Sequence, residues 1–155
     1  MSSPSVHARA PSMSVATLAM AFVAGVVATL VFHQLTLWIL HHAGIVPFAP
    51  FNMAPTKPLG VPDVVSLSFW GGVWGVLFQL TLPRWFKGPL YWVAAIVAGG
   101  IFPTLVFIFV VAPLKFGGVP SAIVGFFVIG FILNAAWGLG WALFLALFRK
   151  LMPTA

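Results

Sequence analysis

Apolar residues fill this chain in four long blocks, and the short stretches between them collect most of its prolines and charges. The blocks cover about 15–40, 64–82, 90–112 and 121–148. Each comes close to or exceeds the roughly 20 apolar residues that a helix needs to cross a bilayer core. Backbone in hydrocarbon must pair its own N–H and C=O groups, so each block is expected to be helical. The pattern predicts an all-α, polytopic membrane protein: one membrane domain over 15–148, built of four transmembrane helices.

Composition supports that class. Of 155 residues, 62% are hydrophobic and 5% charged, whereas a soluble domain carries about 25% charged residues. The mean hydropathy is +1.14. Four spans and their connections use nearly the whole length, which leaves no soluble domain. Residues 1–14, rich in Ser, Pro and Ala, are expected to be a disordered cytoplasmic tail, and 149–155 a second cytoplasmic tail.

The net charge of +6 comes from seven Lys and Arg against one acid, Asp63. The basic residues sit singly or in pairs beside apolar runs. They therefore suit interfacial anchoring in a lipid bilayer, not nucleic-acid binding. Arg9, Arg84, Lys87, Arg149 and Lys150 fall on one side; Lys57, Lys115 and Asp63 fall on the other. That imbalance predicts both termini in the cytoplasm.

The connections and the small residues predict how the spans meet. Prolines at 47, 50, 55, 58 and 62 exclude a helix over 43–62. The apolar residues between them predict a segment lying on the membrane or folded over helix ends. Pro83 to Pro89 and Pro113 to Pro120 read as turns, Pro103 as a kink in the third span, and Asp63 as the N-cap of the second. Ala21, Gly25 and Thr29 form a small-residue stripe, and Gly71 and Gly75 form a GxxxG pair. Either contact inside the monomer or a dimer face would use such stripes. Gly130 and Gly138 lie one turn either side of Asn134 and leave room for its approach to another helix.

The two halves also resemble each other. Val23-Ala24-Gly25 and Thr29-Leu30-Val31-Phe32 recur as Val97-Ala98-Gly99 and Thr104-Leu105-Val106-Phe107. Trp74-Gly75 before Arg84 matches Trp137-Gly138 before Arg149. The expectation is two pseudo-repeated helical hairpins that enter the membrane in the same direction.

Chemistry is sparse. Thiol catalysis, disulfides and thiolate metal sites are excluded by the lack of cysteine. No acid pair, Ser-His-Asp set or phosphate loop can be assembled, so no catalytic residue is assigned and no enzyme is expected. His33, His41 and His42 are too widely spaced on one helix to close on a metal, so no metal or cofactor is assigned. A haem-binding dimer through His33 stays as an alternative. The intramembrane polar candidates are His33, Gln34, Ser66, Ser68 and Asn134. Asn134 should face inward and bond across to another helix. Placed about 9 Å outward of its span's centre, His33 falls level with Ser68 and Ser66. It is expected to hydrogen-bond one of them, Ser68 first.

Val23-Ala24-Gly25, the Pro-rich outer segment, Trp74-Gly75 and Trp137-Gly138 together resemble the small four-helix inner-membrane proteins of the YagU-like kind in proteobacteria. That resemblance covers most of 21–148. It implies a bacterial inner-membrane location and supplies no activity or site. The expected role is a non-enzymatic membrane protein that associates with itself or with another membrane protein as an accessory subunit. A small transporter or channel for a neutral or weakly basic solute is the alternative.

Overall fold

The computed structural model describes residues 14–152. It contains four helices long and apolar enough to cross a membrane: Val15–His42, Asp63–Trp85, Pro89–Phe116 and Ile123–Leu151. The protein is a multi-pass helical bundle. Residues 1–13 and 153–155 lie outside the description, and with them nearly all of the first expected tail. The second tail is shorter than the sequence suggests, because α-helix continues through Leu151.

The first span is α1 (Val15–Ala28), a π-helical turn (Thr29–His33) and α2 (Gln34–His42). Ser14 caps it, accepting a bond from the Thr17 amide at 3.2 Å. A two-stranded hairpin, β1 (Pro55–Thr56) with β2 (Val61–Pro62), precedes α3 (Asp63–Trp85), the second span. The third span repeats the construction of the first: α4 (Pro89–Val106), a π turn (Phe107–Val111) and α5 (Ala112–Phe116). α6 (Ile123–Leu151) is the fourth.

Three expectations about proline and caps are corrected. Pro83 lies inside α3 and Pro113 inside the first turn of α5, so neither belongs to a turn. Pro113 instead comes just after the π turn, and the helix runs through it without a break to Phe116. Asp63 is not an N-cap: Pro62 holds that position, and loop carbonyls take the first amides of α3. The Asp63 amide donates to the Ala54 carbonyl and the Val64 amide to the Asn52 carbonyl, both at 3.0 Å. The Asp63 carboxylate instead lies 3.9 Å from the Lys115 ammonium.

Packing pairs α1 with α3 and α4 with α6, and the two hairpins meet through α1 and α6. α3 and α4 touch far less, although only a short turn joins them. Gly88 in that turn has φ +56, a conformation that side chains with a Cβ rarely adopt. It turns the chain into Pro89 at the start of α4.

Close approach depends on glycine at the crossings. A methyl group on Gly25 would overlap the Gly71 carbonyl, and one on Gly75 the Ala21 carbonyl. In the second hairpin a methyl on Gly138 would overlap the Ala95 carbonyl, and Gly130 sits on Thr104. Gly71 and Gly75 are thus occupied inside the monomer, the first of the two uses that the sequence leaves open for that pair. The bundle centre holds Ala21, Ala24, Ala28, Ala95, Phe78, Trp137, Trp141 and Leu145, all buried. Large apolar side chains that stay exposed, such as Phe69, Trp70, Phe102 and Phe109, face outward where lipid solvates them.

Candidate functional site

Polar groups within the spans settle into two levels of the bundle, each set by local backbone geometry. The outer level centres on the π turn of the first span. A π turn holds one residue more than an α turn and swings the next residues by about 100° around the helix. His33 ends that turn. Its Nδ1 is buried and without a hydrogen-bond partner among the described residues.

The expected bond from His33 to Ser68 or Ser66 is therefore not made. Ser68, itself buried, donates to the Val64 carbonyl one turn back in its own helix at 2.7 Å, the local bond that serine takes when no other acceptor is near. Ser66 is half-buried in the same turn and makes no bond to His33. Counting rise along a straight helix gives the depth of His33 but not its azimuth, which the π turn over Thr29–His33 shifts and nothing in 29–33 announces.

Gln34 comes next in the chain. Its side chain, 2% exposed, turns to the outer segment, where Oε1 accepts the Phe51 amide at 2.7 Å. Phe51 has φ +52, strained for a residue with a Cβ, and the amide bond holds it there. The segment thus folds over the helix ends. His41 Nδ1 lies 3.2 Å from the Val46 carbonyl and His42 Nδ1 2.9 Å from the Trp38 carbonyl. Among the described residues no three His, Cys, Asp or Glu side chains gather at one point.

Replacing Gln34 with Leu removes the side-chain acceptor that fixes Phe51. The expected loss is about 1 kcal/mol, concentrated in the outer segment. Limited proteolysis should cut 43–62 faster in Gln34→Leu while the spans stay intact; unchanged cleavage would show that the segment is held some other way.

The middle level ties helices together through polar bonds. Asn134 Nδ2 donates to Thr104 Oγ1 at 3.0 Å, joining α6 to α4. The equivalent place in the first hairpin has no amide: there Gly71 abuts Thr29, whose hydroxyl donates to the Gly25 carbonyl at 3.0 Å. Two indoles of α6 reach across to α1. Trp137 Nε1 donates to the Gly25 carbonyl at 3.0 Å and Trp141 Nε1 to the Ala21 carbonyl at 3.2 Å.

An unpaired amide in hydrocarbon is costly, but the membrane-unfolded state finds partners too, so such bonds contribute about 1 kcal/mol or less. Asn134→Leu and Thr104→Val should each lower stability by about that much. The double variant should lose little more than either single one, since both remove the same bond. Fully additive losses in a detergent unfolding titration would count against the pairing.

Sequence reasoning misses Gln79, 4% exposed on α3, whose Oε1 accepts from Arg149 Nη2 at 2.6 Å. It also misses the indole donors. Gln79 is visible in the sequence as a lone amide in the second span. Trp137 and Trp141 are visible as an i, i+4 pair well inside the fourth span, away from the headgroup layer that indoles favour.

No family model, no curated protein and no solved structure matches this chain.

Proposed function

We propose that this protein is a non-catalytic subunit of a bacterial inner membrane, with both termini in the cytoplasm, that associates with itself or with another membrane protein. One observation carries the reading: the polar bonds between spans join helices of the same chain and are committed there. Asn134 is bound to Thr104, and Trp137 and Trp141 to α1. Indole and alanine fill the bundle centre, which suits a rigid membrane part better than a hydrophilic conduit.

Further support comes from the matching crossings of the two hairpins. Gly75 rests on the Ala21 carbonyl and Gly138 on the Ala95 carbonyl, and these residues correspond in the repeat of the sequence. Both odd spans also carry a π turn. We read this as an internal duplication.

Purification in a mild detergent, with mass measurement by light scattering, tests the reading. An oligomer or a stoichiometric membrane partner is the expected result. A lone monomer without a partner overturns it. Reporter fusions after Ala155 and near Pro55 should report opposite sides of the membrane, the first cytoplasmic.

A second reading, passage of a neutral or weakly basic solute, is favoured by one observation: the unpartnered ring nitrogen of His33 beside a π turn. π turns occur frequently at functional sites. Uptake into vesicles that His33→Phe abolishes would establish it; equal uptake with empty vesicles would dismiss it.

A further inference from the structure

At the end of the bundle that carries Arg84, Lys87, Arg149 and Lys150, a cleft of about 410 Å³ opens between α3, the Gly88 turn, α4 and α6. Its walls include Pro83, Lys87, Tyr91, Trp92 and Arg149. The weak contact between α3 and α4 leaves this wedge open. Both cations stand at span ends, which places them at headgroup depth.

Among the described residues no carboxylate lies against Arg149. The chain has one acidic side chain, Asp63, and that lies at the opposite end beside Lys115. The partner of Arg149 is the neutral amide oxygen of buried Gln79. An amide fixes the guanidinium without neutralising it, and it uses one of five N–H donors. Tyr91, the chain's single tyrosine, adds a buried hydroxyl that has no hydrogen-bond partner among the described residues.

We propose that this cleft binds the phosphate of an anionic phospholipid. Guanidinium forks match phosphate oxygens in pairs, and basic pockets between spans suit anionic headgroups. Arg149 and Lys87 supply the charge, Gln79 positions Arg149, and the Trp92 indole and the cleft's apolar wall receive the upper part of the acyl chains.

The test is native mass spectrometry of the delipidated protein in detergent, titrated separately with phosphatidylglycerol, phosphatidylcholine and inorganic phosphate. Phosphatidylglycerol should bind more tightly than phosphatidylcholine. Arg149→Gln should weaken its binding about tenfold, the loss expected for a charge-assisted bond. Lys150→Gln, outside the cleft wall, should change it less than about twofold.

Gln79→Glu guards against a folding artefact, because a carboxylate there strengthens the contact to Arg149 while supplying the missing counter-charge. It should keep the fold and lose lipid binding. Equal retention of both lipids, or binding unchanged in Arg149→Gln and Gln79→Glu, overturns the proposal. Inorganic phosphate binding as tightly as phosphatidylglycerol overturns the lipid as the source.

Discussion

Gly25→Ala and Gly138→Ala are expected to destabilise the protein by about 1–3 kcal/mol each, although alanine is the better helix former by roughly 1 kcal/mol. The sign depends on the atoms the added methyl meets. At both positions it would overlap a backbone carbonyl of the facing helix, from Gly71 and Ala95 respectively. A carbonyl in a helix ladder cannot swing aside as a side chain can, so the helices must separate. In lipid that separation is doubly unfavourable, because close packing supplies the attraction that water supplies elsewhere. Gly72→Ala and Gly100→Ala make the contrast. Their methyls would meet the ring edges of Phe22 and Phe131 at 2.6 Å, and rings can rotate, so the expected loss is under about 1 kcal/mol. Gly125, exposed on α6 with open space around it, should accept alanine with no loss. Detergent unfolding titrations of the five variants check the order. If Gly25→Ala and Gly138→Ala matched Gly125→Ala, the spans would not approach at these crossings.

Helix positions are legible in the sequence because lipid makes hydropathy and length decisive. The four blocks map onto the four spans, with ends that differ by a few residues. Those differences have particular causes. Pro113 reads as a breaker in isolation, yet the helix runs through it just past the π turn Phe107–Val111. Asp63 reads as a cap, yet carbonyls of the outer segment reach the α3 amides first. That preference depends on how 43–62 folds, and no local pattern reports it.

Legibility of the candidate site divides in the same way. Asn134 sits where depth alone demands a partner, and Gly130 sits beside Thr104 as the spacing of small residues suggests. His33 shows the limit. Its depth can be counted along the helix, but its azimuth depends on a π turn that shifts everything beyond Thr29, and the apolar run Leu30-Val31-Phe32 carries no mark of it. Gln34 can be recognised as polar and intramembrane, but its partner is a loop amide 17 residues on. A pairwise search among the spans cannot find such a partner.

The largest single loss is expected at Trp141. Its side chain is fully buried and stands where α6 faces both α1 and α3. The ring lies 5.7 Å from Phe78, 6.2 Å from Tyr91 and 6.5 Å from Trp137, the last nearly parallel at 18°. It also donates to the Ala21 carbonyl at 3.2 Å. Removing a buried Trp or Phe costs about 3–5 kcal/mol through the cavity and lost contacts, whereas an interhelical bond in a membrane contributes about 1 kcal/mol or less. The Ala21 carbonyl also keeps its place in the α1 ladder when the indole goes, so little is left unsatisfied. Packing should therefore outweigh the hydrogen bond. Trp141→Ala is expected to lose about 3–5 kcal/mol, and Trp141→Phe, which keeps an aromatic ring but not the donor, well under half of that. Unfolding titrations in mixed micelles would separate the two contributions. Equal losses for Phe and Ala would mean that the N–H bond to Ala21 outweighs the packing of the ring. A loss under about 1 kcal/mol for Trp141→Ala would mean that the four spans are not assembled around this ring.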